Sequence, residues 1–359
     1  MRQIILSILI SCCLPAMAQQ QVYPMQRDSI AARIADLQAI HTPNGIDLME
    51  EVSINGTKQW ISIRGLNKDN PILLVVHGGP GSAMMGMSWA YQKPWEDFFT
   101  VVNWEQRGVG KNYRAADTAA LASSMTEAQH LQDAAVLIPY LLKKLNQPKL
   151  VLLGYSWGTK FTTKLVQDYP NWFYAWVGMG VVSPNTNAEA YLYNQVMEMA
   201  KAANNTSAIQ ELEALAPYPD PSGFKMRKAL AVRKWVRFYN GGWYGKKNLD
   251  LFFSLHEWSP YYTSAEAALV NDATSWAGPL ITRSFQQNTN TQFSIPVVFL
   301  MGKHDLQTPY AAAQQYYARI NAPVKKFISF ENSAHMLFME EPGKMLLTLV
   351  NEVLPLTKR

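Results

Sequence analysis

Ser156 lies in Gly154-Tyr155-Ser156-Trp157-Gly158, a G-x-S-x-G pattern. A serine hydroxyl is a weak nucleophile at neutral pH and needs an adjacent base to take its proton. The pattern gains weight when an apolar strand leads in and a helix leads out, because that sharp turn presents the serine oxygen at the top of a sheet. Both flanks are present here: residues 149–153 read as a strand, and a helical pattern starts at Trp157. On such a scaffold the chain order is serine, acid, histidine. Of the six histidines, only His256, His304 and His335 follow Ser156. His335 sits in the loop Ser333-Ala334-His335, after the last strand-like run, and is the expected general base. Asp305, in Gly302-Lys303-His304-Asp305 at the end of an apolar run over 295–301, is the expected acid that orients it. The plainer role for Asp305 would be to cap a helix beginning near Pro309. His77-Gly78-Gly79-Pro80-Gly81 follows another apolar run, and glycines there let backbone N–H groups approach a substrate oxygen closely. The N–H groups of Gly79 and Trp157 are the expected oxyanion hole, with His77 a structural loop residue.

The elements needed to position these groups are legible. Residues 72–76, Ile-Leu-Leu-Val-Val, form a continuous apolar run, as expected of a strand covered on both faces. Strand-like runs near 49–54 and 60–63 flank the turn signal Asn55-Gly56. Further strands are expected over 100–104, 150–153, 175–182, 295–301 and 325–330. Helices are expected over 22–40, 127–145 (kinked at Pro139), 157–169, 309–320 and 342–354. This βαβ alternation implies an α/β fold: a mostly parallel sheet with helices on both faces. It divides the chain into a core over 19–182 and 291–359 and an inserted helical cap over 183–290. The cap stretch is rich in aromatics, among them Trp235, Phe238, Tyr239, Trp243, Tyr244, Phe252, Trp258, Tyr262 and Trp276. Such an insertion overhangs the carboxyl ends of the strands, where open α/β sheets place their sites.

The chain has 359 residues, a charged fraction of 16% and a formal net charge of +5. Its Lys and Arg are scattered, with no basic run of the kind that engages nucleic acid. Arg2, an apolar run over 4–14, and Ala16-Met17-Ala18 make an n-region, h-region and small-x-small site. Residues 1–18 are therefore expected to be a signal peptide, cut after Ala18 to leave Gln19 first in a periplasmic or secreted protein. The apolar run is too short to remain as a membrane span. The alternative reads Leu9-Ile10-Ser11-Cys12 as a lipoprotein box with Cys12 as the lipid anchor. Both cysteines, Cys12 and Cys13, lie in this segment, so cleavage after Ala18 leaves no disulfide, thiol nucleophile or cysteine metal site.

Three motifs in combination, His77 to Gly81, Gly154 to Gly158, and Trp104-Glu105-Gln106-Arg107-Gly108-Val109-Gly110, resemble the proline iminopeptidase family of serine peptidases. The resemblance runs from about Gly45 to Leu354. It implies an α/β-hydrolase core with a helical cap, release of an N-terminal residue, often proline, from peptides, and no cofactor. The chain departs from that family at Glu105, where Asp is usual, and at Asn112, where Ser is usual; both positions are expected to be structural. The family also holds the substrate's amino group with a cap Glu in a Trp-x-x-Trp-Glu-like segment. The local counterpart, Trp235-Val236-Arg237-Phe238-Tyr239-Asn240, lacks it. Glu257, beside Trp258, and Glu266 are the possible substitutes, with Glu257 and Trp258 the expected substrate-binding pair. The reading is thus an exported serine aminopeptidase for short peptides. An esterase or amidase for small non-peptide substrates is the alternative, and the oligomeric state is left open.

Overall fold

The computed structural model describes residues 26–184, 188–222, 225–285 and 288–358. The expected signal segment and Cys12 lie outside them. Among the described residues, eight strands form one sheet: β1 (Ile46–Ile54), β2 (Thr57–Gly65), β3 (Ile72–Val76), β4 (Thr100–Trp104), β5 (Leu150–Tyr155), β6 (Phe173–Met179), β7 (Val297–Gly302) and β8 (Lys325–Phe330). Their order is β1-β2-β4-β3-β5-β6-β7-β8. β1 pairs antiparallel with β2, and β2 with β4; every later pairing is parallel. The β1–β2 turn has Asn55 at φ 43° and Gly56 at φ 79°. Two successive left-handed residues make the tight hairpin that Asn-Gly favours.

Period-two alternation sorts the central strands onto two apolar layers. Ile72, Leu74, Val76, Leu150 and Leu152 join one layer, packed by Ile138, Leu141, Phe161 and Leu165 of the helices Glu127–Lys144 and Trp157–Asp168. Leu73, Val75, Val151 and Leu153 join the other, under Met87, Trp95, Met345 and Leu349. Each fully buried aliphatic side chain contributes about 1.5–3 kcal/mol, so these runs hold the sheet as a rigid platform. The helix Glu127–Lys144 runs through Pro139 without ending there.

Among the described residues, six helices come between β6 and β7: Ala188–Ala202, Thr206–Glu213, Met226–Phe238, Asp250–Ser254, Ser264–Ala268 and Val270–Ser284. They form the inserted helical cap. Leu192, Val196, Leu212, Val232 and Trp235 give its first half an apolar cluster of its own. Its second half rests on the core, with Trp243 and Phe252 joining one layer and Ala277 and Ile281 the other. Much of the cap's aromatic richness is therefore packing. Among the described residues no helix is long and apolar enough to cross a membrane.

Candidate active site

Ser156 occupies the turn between β5 and the helix Trp157–Asp168, at φ 52° and ψ −125°. A side-chain-bearing residue in such a sparsely populated region costs of order 1–3 kcal/mol and persists only where its surroundings over-determine it. Here they do. The Ser156 N–H is held by Met179 O at 2.8 Å, tying the turn to the end of β6. A Cβ at Gly158 would lie 2.6 Å from the carbonyl oxygens of Val76 and His77, and one at Gly78 would lie 2.8 Å from Ser156 Cβ. Glycine at 158 lets the new helix drop against β3, and glycine at 78 lets the first loop lie directly against the serine.

Asp305 and His335 come together from loops after β7 and β8. His335 Nδ1 lies 2.7 Å from Asp305 Oδ2, and both side chains are buried, 4% and 1% exposed. Asp305 Oδ1 accepts the Thr308 N–H at 2.8 Å, and Oδ2 also accepts the Thr308 hydroxyl at 2.8 Å. The carboxylate thus orients the imidazole and also fixes the turn into the helix Tyr310–Arg319. With Nδ1 committed to Asp305, Nε2 is the nitrogen left to take a proton. No hydrogen bond joins Ser156 to His335 among the described contacts. They are neighbours through Gly180: it directly follows β6, whose Met179 carbonyl holds Ser156, and a Cβ there would meet His335 Cε1 at 2.9 Å. Catalytic hydrogen bonds of unliganded sites are often long and tighten with substrate.

The other histidines have different fates. His304 stacks on Tyr244, ring centroids 4.2 Å apart. His256 is buried against Tyr262, and burial pulls its pKa down to about 4. Burial likewise holds His77 at about 4, hence neutral. Its Nε2 faces the Gln106 N–H at 3.5 Å and its Nδ1 the Gly78 carbonyl at 3.0 Å, so the Nδ1–H tautomer satisfies both. That bond steadies the glycine loop containing Gly79, which is exposed at φ 113°. Trp157 is the first residue of its helix, where an N–H has no intrahelical acceptor and the helix dipole favours negative charge. Helix Val270–Ser284 of the cap braces the same loop: the Thr274 hydroxyl donates to Gly81 O at 2.9 Å.

Glu105 and Asn112 are buried or half-buried fixtures of the β4 loop. Tyr262 and the Lys111 N–H donate to the Glu105 carboxyl, and burial pushes its pKa up to about 8. The Asn112 side chain accepts from Trp60 N at 2.9 Å and donates to the carbonyls of Glu105 and Gln106. Glu266 closes a capping box with Thr263 and pairs with Lys111 at 2.8 Å. Glu189 is paired with Arg233. Glu257 is exposed; its carbonyl accepts from Arg27 Nε at 2.7 Å, and its carboxylate has no partner among the described residues. Trp258 is half-buried against the core. No described contact joins either residue to Ser156 or His335. Among the described residues no group of three or more His, Cys, Asp or Glu is arranged to hold a metal ion.

Two acids that motif reading passed over support the histidine loop. Glu341 accepts from Asn332 N at 3.0 Å and the Ser333 hydroxyl at 2.7 Å. Glu340 accepts from Ala334 N at 3.0 and 3.1 Å, and burial raises its carboxyl to about 6. The available signal was a pair of carboxylates five and six residues past a loop histidine, uninformative until the loop is folded.

The family model for the alpha/beta hydrolase fold matches residues 71–342. A Bacillus subtilis (strain 168) protein named "Probable aminopeptidase YbaC" is 31% identical over 320 residues, 85% of this chain and 95% of that protein. A proline iminopeptidase of Heyndrickxia coagulans is 24% identical over 296 residues, 76% of this chain and 87% of that one. The crystal structure of a proline iminopeptidase-related protein from Thermus thermophilus shares the fold with a TM-score of 0.60 at 18% identity, covering 87% of this chain and 98% of its own. With its sheet order, its cap between β6 and β7 and these relatives, the chain belongs to the α/β-hydrolase fold family and is a hydrolase.

Proposed function

We propose that this hydrolase is a serine enzyme working through an acyl-enzyme. Ser156 Oγ attacks the substrate carbonyl while its proton passes to His335 Nε2, with Asp305 stabilising the imidazolium. The Gly79 and Trp157 N–H groups receive the negative oxygen. The intermediate collapses, the scissile bond breaks, and His335 hands its proton to the leaving group. Water then repeats the sequence and frees the acid and Ser156. The observation that carries this reading is the 2.7 Å His335–Asp305 contact beside a serine held at φ 52°. A fluorophosphonate probe labels Ser156 on this reading; labelling of another serine, or none, would overturn it.

The finer reading is an aminopeptidase that releases N-terminal residues from short peptides, supported by the names of its relatives. Glu257 is then the carboxylate that meets the substrate's ammonium group, with Trp258 beside it, since a desolvated cation is costly unless an anion faces it. One observation favours the esterase or amidase reading: Glu189 and Glu266 are already paired with Arg233 and Lys111. Aminoacyl and N-acetylaminoacyl p-nitroanilides and esters separate the two. Faster turnover of the blocked series would defeat the aminopeptidase assignment. We also propose that residues 1–18 direct export. Intact mass of the exported chain should show Gln19 first, whereas a lipidated Cys12 terminus would establish the alternative.

A further inference from the structure

The cap segment 241–244 lies across both loops that carry the Asp305–His335 pair. Gly241 O accepts from Leu306 N at 3.0 Å and Gln307 N at 3.3 Å, immediately past Asp305. The Tyr244 ring stacks on His304, immediately before Asp305, with 17° between planes. The Tyr244 N–H donates to Glu340 Oε1, and that same carboxylate holds Ala334 N, immediately before His335. The two loops also meet directly, His304 N to Ser333 O at 2.9 Å. One short piece of the cap is therefore bonded directly to the residues after the acid and, through Glu340, to the residue before the histidine.

We infer that Glu340 is a positioning residue: its carboxylate ties Tyr244 of the cap to the His335 loop and so holds the imidazole in register with Ser156 and Asp305. This rests on the catalytic reading of Ser156, His335 and Asp305 above. The Ala334 amide is one residue from His335, so a change in that bond moves the imidazole with little averaging. A displacement of about 1 Å at a reacting group costs on the order of 100-fold in rate. Through this link the seating of the cap is coupled to the histidine.

The turn at Tyr244 supplies a clean test. Lys246 N bonds Trp243 O at 3.0 Å and Gly245 has φ +75°, while Tyr244 keeps negative φ, the signature of a type II turn. Proline is favoured at the second position of such a turn, so Tyr244→Pro keeps the turn and deletes the N–H. Tyr244→Ala deletes the ring and keeps the N–H. The readout is the second-order rate of Ser156 labelling by a fluorophosphonate, measured well below the unfolding midpoint recorded for each variant. Glu340→Ala and Tyr244→Pro should each label about 10–100-fold more slowly than wild type. Tyr244→Ala should lose less than Tyr244→Pro, and Glu340→Gln, which keeps one acceptor oxygen, should recover part of the loss. If Tyr244→Pro and whichever Glu340 variants fold label within twofold of wild type while Tm falls, Glu340 is merely structural and the inference is overturned. Equal losses for Tyr244→Ala and Tyr244→Pro would overturn the role of the N–H. A wild-type chain that labels elsewhere, or not at all, would overturn the catalytic reading itself, a result distinct from these.

Discussion

On the core side of the site, the polar groups are buried and mutually committed: Asp305 accepts three hydrogen bonds, and His335 is pinned through Nδ1. On the cap side, Glu257 is exposed and its carboxylate has no partner among the described residues, while Glu189 and Glu266 are taken up by cap and loop cations. The core side stands on strand ends whose positions are dictated by the parallel ladder from β3 to β8. The cap side stands on short helices, half of them organised around their own apolar cluster. If Ser156, His335 and Asp305 are the catalytic groups, reaction class is set in the strand-borne half and substrate choice in the cap half. This division lets one fold host many substrates.

The largest effect should come from Ser156→Ala. It should lower turnover by about 10⁴-fold or more and abolish fluorophosphonate labelling while leaving the fold intact. Residual labelling would break the core half of the comparison. Asp305→Asn should follow, with kcat down by about 10⁴ and substrate affinity retained. Asparagine has one acceptor oxygen for the Thr308 N–H, the Thr308 hydroxyl and the His335 N–H together, so the imidazole loses its fixed tautomer. His304→Ala should be far milder than His335→Ala; parity between them would remove His335 as the base.

The cap half is sharpened by Glu257→Gln. If Glu257 meets the ammonium group, KM for free-amino substrates should rise about 10–100-fold, as for the loss of one charged hydrogen bond of about 1.5–3 kcal/mol. N-acetylated substrates should be nearly unaffected, and equal effects on both would make Glu257 a surface residue only.

The last effect concerns stability. Glu105 is held neutral by burial, with its pKa near 8 against an ordinary 4.5. Between those values the unfolded chain has released the proton and the folded chain retains it. Stability from this site therefore falls as pH rises from about 4.5 to 8. Glu105→Gln keeps the shape and removes the titration, so its Tm should gain on wild type between pH 5 and pH 8, by several degrees for a difference of about 3–4 kcal/mol. A constant gap across that range would show that Glu105 does not titrate there.

Ser156, Asp305 and His335 were picked out in the linear chain as candidates because each lies within a few residues of the end of a strand-like run, and a strand that ends in the sheet carries its next few residues to the same edge. The runs over 72–76 and 325–330 coincide with β3 and β8, and the others were placed to within a few residues; for β3 the reason is that continuous burial leaves continuous apolar sequence, whereas β8 is half-buried and mixed in character. What escaped was decided by contacts distant along the chain. Glu340 meets Tyr244 across 96 residues, Lys111 meets Glu266 across 155, and Tyr262 meets Glu105 across 157. The cap aromatics suggested a pocket because a ring looks alike in sequence whether it faces a ligand or a neighbour, and only the folded chain put Trp235 and Trp243 into packing layers. Local turns and periodic burial are written in adjacent residues, so the sequence alone determined the platform and the edge to which it carries Ser156, Asp305 and His335. Pairing partners and seating depend on how distant segments close in space, so tertiary structure alone decided which carboxylates stayed free and which became supports.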